Sequence, residues 1–117
     1  MTLSMPELIV QAQVDAYNRR DLAGFLTAYS DAVEVFNFPH SLVLSGKREL
    51  AERYRVRFAE NPDLRAEIHQ RLIFENTVID HETASGAVFG RKPCIAIYEV
   101  EAGLIRRVTF KMAEDPG

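Results

Sequence analysis

The chain has 117 residues and a formal net charge of -3, and 47% of its residues are hydrophobic while 26% are charged. This length and balance are typical of a single globular domain, so a second domain and an intrinsically disordered chain are both excluded. The lysines and arginines are interspersed with acids, which disfavours nucleic acid as a partner because no broad positive surface can form.

The cellular setting follows from what the sequence lacks. Cys94 is the only cysteine, so it cannot form an internal disulfide. No apolar run reaches the length of a transmembrane helix or of a signal-peptide core. We therefore expect a soluble, cytoplasmic protein that folds as one domain over residues 1–117 and has no membrane partner.

Helices are predicted in the first half of the chain. Ser4 and Glu7 have the spacing of a capping box, which predicts a first helix from this point to about Asn18. Asp21 can cap a short second helix. Apolar residues recur with helical period over residues 47–60 and predict a third helix there.

The remaining patterns are typical of strands. Residues 32–44 are rich in β-branched and aromatic side chains and predict two short strands or a hairpin. Four longer strands are predicted at 65–74, 77–85, 93–100 and 104–112, separated by glycine-containing turns. Runs of helices followed by runs of strands indicate an α+β domain, in which the helices pack on one face of an antiparallel sheet.

Short motifs stand in a definite order between the first and the third helix. They are Ala16-Tyr17-Asn18, Asp21-Leu22 with Gly24, Tyr29-Ser30-Asp31, the strand 33–38, and Ser45-Gly46. This order resembles the nuclear transport factor 2-like superfamily, and within it the SnoaL-like and ketosteroid isomerase-related proteins. The resemblance implies a curved sheet that wraps around three helices and leaves a cone, open at one end, in which ligands bind.

The resemblance also implies where the catalytic residues of ketosteroid isomerases would fall. Those enzymes use a tyrosine of the first helix and a protonated aspartate of a late strand as an oxyanion hole, with an aspartate at the end of the first strand as the base. Aligned on the motifs, these positions carry Gln13, a residue near Ala96, and Asn37. An amide cannot accept a proton from carbon, so the familial mechanism of ketosteroid isomerisation is not supported.

Two amides stand where core residues are expected. The helical neighbours of Gln13 are apolar, so its amide must meet another buried polar group or a wet pocket, unless it reaches solvent at the helix edge. Asn37 follows Val33 and Val35 on the core face of its strand. It could bond a ligand there, or satisfy the backbone where the strand ends.

Candidate acids and bases follow one another at Asp80, His81 and Glu82. Strand alternation sends the two acids to one face and the histidine to the other, so either His81 or the acids line the cone. Histidine titrates near neutral pH and would be the better general acid or base. The candidate catalytic residues are therefore His81, Asp80 and Asn37.

Aromatic side chains are predicted to form the rest of the pocket, although the same spacing would suit an ordinary core. The predicted ligand-binding residues are Gln13, Tyr17, Tyr29, Phe36, Tyr54, Phe58 and Tyr98. The three histidines lie on separate segments without the spacing of metal ligands, so neither a metal site nor a cofactor is predicted.

Two functions remain open. The first is an isomerase, cyclase or dehydratase that acts on an apolar carbonyl compound, and the mixture of aromatics and amides favours it. The second is a non-catalytic module of the same fold that binds a small apolar ligand or regulates a partner. An acid or base with a shifted pKa inside the cone would favour the enzyme.

The last expectations concern the two faces of the sheet. Arg106 is predicted to face inward and to pair with Glu99 on the preceding strand. The outer face is predicted to pair with a second copy of the chain, giving a homodimer with a polar contact. The residues expected on it are Glu67, His69, Arg71, Arg107, Thr109 and Lys111.

Overall fold

The computed structural model describes residues 3–88 and 90–113. The helices are α1 (Met5–Asn18), α2 (Leu22–Thr27) and α3 (Lys47–Glu60). The strands are β1 (Tyr29–Asn37), β2 (Ser41–Ser45), β3 (Arg65–Phe74), β4 (Thr77–Ala87), β5 (Gly90–Glu101) and β6 (Leu104–Met112). The predicted α+β class is confirmed. Among the described helices, none is long and apolar enough to cross a membrane.

The described strands form one open sheet in the order β2-β1-β6-β5-β4-β3. Neighbouring strands are antiparallel except for β1 and β6, which run parallel. The parallel pair arises because the chain leaves the β1–β2 hairpin through α3 and starts again at the far edge with β3. Three successive antiparallel connections then bring β6 back beside β1, so the sheet is mixed and not wholly antiparallel.

Side-chain caps begin the first two helices where the sequence predicts. The backbone N–H of Glu7 donates to the hydroxyl of Ser4 (3.2 Å), and that of Gly24 donates to the carboxylate of Asp21 (3.1 Å). At the end of α1, the amide of Asn18 donates to the carbonyl of Ala66 (3.1 Å) and accepts from its N–H (2.7 Å). The side chain of Asn18 thus bonds both backbone groups of Ala66 in the edge strand β3, as a neighbouring strand would, and holds α1 against the sheet.

The core lies between the three helices and one face of the sheet, which we call the inner face; the opposite face is the outer face. Phe25, Leu50 and Ile105 are fully buried there. The ring centroid of Phe25 lies 4.5 Å from that of Tyr54 and 4.9 Å from that of Tyr29. This aromatic cluster joins α2, α3 and β1, so the helices are positioned by packing against one another as well as against the sheet.

A bulge on β3 changes which residues face inward. The pairing of β3 with β4 shifts between Ile68 and Gln70, so His69 is an extra residue and Arg71 lies opposite Asp80. An extra residue reverses the alternation beyond it. Placing Arg71 on the outer face is therefore wrong, and its side chain is only 12% exposed.

A second bulge on β6 corrects the predicted partner of Arg106. Pairing with β5 shifts so that Val100 lies opposite Ile105 and Glu99 opposite Arg107, which leaves Arg106 as the extra residue. Arg106 binds Glu34 of β1 at 3.2 Å. Glu99 instead lies 3.9 Å from Arg107. Simple alternation could not predict this, because the bulge moves the two arginines by one position relative to β5.

Candidate functional site

A cavity of about 310 Å³ lies between the helices and the inner face of the sheet. Each described helix and strand contributes at least one side chain to its wall, which is mainly apolar and aromatic. Asn37, Lys92 and Met112 line it at one end. Asn37 and Met112 are exposed, so this end is its mouth. The size and the lining are typical of a site for a small organic molecule.

A chain of polar side chains crosses the apolar wall. The hydroxyl of Tyr29 donates to Oε1 of Gln13 (2.9 Å), and Nε2 of Gln13 donates to the hydroxyl of Tyr98 (3.1 Å). Since Tyr98 accepts from Gln13, its own proton is directed to Glu82, with which it also forms a hydrogen bond. Gln13 thus meets buried polar partners and also lines the cavity. Both of the interior positions considered for this amide, beside a buried polar group and in a pocket, therefore apply.

Glu82 is the acid of this network. It is buried, and its Oε1 has no hydrogen-bond partner among the described residues. Burial, and next the negative charge of Asp80, raise the pKa of Glu82 to about 7. Its carboxyl group therefore exchanges a proton near neutral pH, with one oxygen available to a ligand in the cavity.

An ion pair lies beside Glu82 and outside the cavity wall. Asp80 is fully buried and binds Arg71 through two hydrogen bonds, Nε to Oδ1 at 2.7 Å and Nη2 to Oδ2 at 3.0 Å. Arg71 also donates to Gln11 (2.8 Å) and lies 3.7 Å from Glu7. Asp80 therefore acts on the cavity through its charge, which raises the pKa of Glu82, and not by touching a ligand.

The fold resolves the alternative that strand alternation left open. Asp80 and Glu82 face inward, whereas His81 is exposed on the outer face with its ring centroid 5.2 Å from that of His69. Among the candidate catalytic residues, Asn37 lines the mouth, and neither His81 nor Asp80 lines the cavity. Sequence reasoning places Glu82 on the same strand face as Asp80, but it does not predict which of the two acids lines the cavity.

Most of the predicted ligand-binding residues come together. Gln13, Tyr17, Tyr29, Tyr54 and Tyr98 line the cavity. Phe36 does not, because alternation about Val35 sends it to the outer face, where its ring stacks on His40 with centroids 4.7 Å apart. Phe58 does not line it either, because it packs edge-on against Tyr17 and Phe25 within the core.

The phenols and the thiol of the wall are held in their neutral forms. Burial raises the pKa values of Tyr17, Tyr29, Tyr54 and Tyr98, so all four phenols keep their protons at neutral pH. Burial also raises the pKa of the Cys94 thiol to about 12, so this cysteine is not a nucleophile. Glu82, in contrast, has a pKa near neutral pH.

Metal ligation has no basis in the described residues 3–88 and 90–113. No three side chains of His, Cys, Asp or Glu in these ranges lie close enough together to hold a metal ion. His40, His69 and His81 are all exposed, and none of them lines the cavity.

Comparison with known proteins places the chain in a family. Residues 10–108 match the family model of the SnoaL-like domain, which is most of the sequence. The chain belongs to the SnoaL-like family. Among curated proteins, none matches this sequence.

Solved structures similar to this SnoaL-like protein share its fold. A cystatin-fold protein of Novosphingobium aromaticivorans has 24% identity and a TM-score of 0.82, with 93% of this chain and 98% of that chain covered. A SnoaL-like protein of Burkholderia thailandensis has 19% identity and a TM-score of 0.80, with 97% and 99% covered. An LEH-like epoxide hydrolase of M. tuberculosis has 19% identity and a TM-score of 0.79, with 93% and 83% covered. Identities this low show the nuclear transport factor 2-like fold alone.

Proposed function

We propose that this SnoaL-like protein is an enzyme in which Glu82 transfers a proton to or from an apolar carbonyl compound bound in the cavity. The observation that carries the proposal is the position of Glu82, a buried carboxyl group with one unpartnered oxygen and a pKa of about 7 in the cavity wall. A general base is most effective when its pKa lies near the working pH. Proton transfer beside a carbonyl is a step of many isomerase, cyclase and dehydratase reactions.

The neighbouring phenols supply the second half of the chemistry. Loss of a proton from the carbon beside a carbonyl places negative charge on the carbonyl oxygen, which needs a hydrogen-bond donor. Tyr17 and Tyr54 line the same cavity, and the charge of Glu82 contributes to the raised pKa of both. Their protonated hydroxyls are therefore within electrostatic reach of Glu82 and serve as donors, while Tyr98 forms a hydrogen bond with the carboxyl group of Glu82.

Deuterium exchange tests the base without knowledge of the complete reaction. In D₂O, the wild-type protein should exchange the protons beside the carbonyl in some members of a panel of cyclic ketones, lactones and steroids. Glu82→Gln should slow this exchange about a hundredfold to ten-thousandfold, because the amide cannot accept the proton. The wild-type rate should rise as the pH passes the Glu82 pKa of about 7 and then level off.

The matched control is Glu67→Gln, which changes an exposed glutamate of the neighbouring strand β3. It should leave the exchange rate unchanged. Binding of panel members without any exchange would contradict the catalytic proposal and favour the non-catalytic binding module. Equal exchange by wild type and Glu82→Gln would show that Glu82 is not the base.

We also propose that two copies of the chain pair through the outer face. The β3 bulge leaves Leu72 and Phe74 on this face, 60% and 69% exposed, beside the half-buried Ile79 and Ile97. Apolar side chains this exposed are stabilised by contact with another surface. The proposed contact therefore has an apolar centre, with charged residues around it.

The assembly can be measured by sedimentation at micromolar concentration. We expect the measured mass of the wild type to be that of a dimer, twice the 13.3 kDa of one chain. A variant with Leu72→Glu and Phe74→Glu should sediment as one chain, because the charges would be buried without partners. Met5→Glu alters a comparably exposed apolar residue on α1 and should leave the dimer intact. A wild type that sediments as one chain would exclude the dimer.

A further inference from the structure

Three cationic side chains stand in the wall of the cavity. Arg53 and Arg57 lie one turn apart on α3, and Lys92 lies on β5 two residues before Cys94. Arg53 is exposed, and Arg57 and Lys92 are half-buried, so all three have access to solvent at the open end. They belong to two elements, α3 and β5, which meet at the cavity.

The two arginines are directed towards the cavity and not simply along the surface of α3. The guanidinium carbon of Arg57 lies 5.5 Å from the centroid of the Tyr54 ring. The positive charges of Arg57 and Arg53 both lower the pKa of Tyr54, although burial raises it overall. Both arginines line the cavity beside Tyr54, which is buried in its wall, so their charges lie where a ligand would enter.

The charge at the mouth contrasts with the rest of the molecule. The chain as a whole has a net charge of -3. Among the described residues that line the cavity, however, there are three cations and one acid, Glu82. Arg55, on the same helix, does not line the cavity and binds Glu52 at 2.8 Å. Three of the four charged side chains in the described lining are therefore cations.

We propose that the ligand is an amphipathic organic anion, with its apolar body against the aromatic wall and its anionic group at Arg53, Arg57 and Lys92. This proposal rests on the proposed function for the fate of the bound carbonyl group, which Glu82 meets at the inner wall. Guanidinium groups bind carboxylates through paired, charge-assisted hydrogen bonds, and cations around a low-dielectric opening concentrate anions. The substrate class is thus an apolar carbonyl compound that bears an acidic group.

A matched pair of probes separates charge from shape. Calorimetry should measure the affinity of a tetralone carboxylate and of its methyl ester, at low salt and at high salt. The wild type should prefer the carboxylate by about tenfold or more at low salt, and salt should reduce the preference because these charges lie near solvent. The triple variant Arg53→Gln, Arg57→Gln, Lys92→Gln should lose the preference and keep the ester affinity, which also reports that the variant is folded.

Two further variants complete the experiment. Arg55→Gln removes a positive charge from the same helix outside the cavity and should keep the preference. Glu82→Gln should also keep it, although it slows proton exchange, so failure of the catalytic proposal and failure of the anion proposal are distinguishable. Equal affinity of the two probes for the wild type, or a preference that survives in the triple variant, would overturn the proposed anion site.

Discussion

Glu82→Gln should stabilise the protein at alkaline pH and leave its stability at acidic pH nearly unchanged. The folded-state pKa of Glu82 is raised from its ordinary value of 4.5 to about 7. Below the ordinary value, the carboxyl group is protonated in both the folded and the unfolded chain, so burial imposes no ionisation cost. As the pH rises through the folded-state pKa, the folded protein must hold a buried carboxylate, which lowers its stability by roughly 3 kcal/mol relative to the acidic limit.

Urea unfolding at about pH 4 and about pH 9 measures this effect, because glutamine cannot ionise. The difference in unfolding free energy between Glu82→Gln and wild type should grow by roughly 3 kcal/mol from the lower to the higher pH. Other titrating groups are common to both proteins and cancel. The variant Glu67→Gln should follow the wild type at both pH values. A constant difference between Glu82→Gln and wild type would mean that Glu82 is not buried as a neutral acid.

Asp80→Asn should destabilise the protein by about 3 to 5 kcal/mol, because it removes the negative partner of a guanidinium that is mostly buried. Asp80 is fully buried, and Arg71 is 12% exposed. The same change should lower the pKa of Glu82, since the charge of Asp80 is the second cause of its upward shift. Chemical denaturation measures the first effect, and NMR titration of the Glu82 carboxyl carbon measures the second.

Two controls separate charge from packing. Replacing both partners with apolar residues, Asp80→Leu with Arg71→Met, should recover much of the lost stability, since neither member of the Asp80–Arg71 pair is then buried without the other. Glu52→Gln breaks the exposed pair with Arg55 and should cost far less, because solvent screens that pair. If Asp80→Asn cost as little as Glu52→Gln, the ion pair would not be a buried structural element.

Periodicity and capping predict the elements of this fold well, because both are local. Ser4 and Asp21 cap their helices as expected, and the helical pattern over 47–60 coincides with α3. The predicted second helix is short, as expected: it ends at Thr27, and Tyr29 already begins β1. Local signals could not predict the parallel pairing of β1 with β6, because it depends on where the chain places β3 after α3.

The candidate site was predictable only in part, for the same reason. The core-facing position of Gln13 follows from its apolar helical neighbours, but its two tyrosine partners come from β1 and β5, 16 and 85 residues away. Alternation alone leaves open which face of β4 is covered by the helices. The ordinary pKa of histidine then favours His81 as the general acid or base. Packing of the helices on the Glu82 side reverses that preference, because burial raises a carboxyl pKa towards neutrality.

By itself, the sequence determined the α+β class, the order of the elements and the polar character of the residues that enter the core. Those properties can be predicted from the periodic spacing of apolar and polar residues, which depends only on residues close together in the chain. Only the tertiary structure decided the rest. The bulges at His69 and Arg106 reverse the alternation of their strands, and they brought Arg71 to Asp80 and moved Arg106 to Glu34. Bulges depend on the fit between strands far apart in sequence, so no local pattern marks where the reversal occurs.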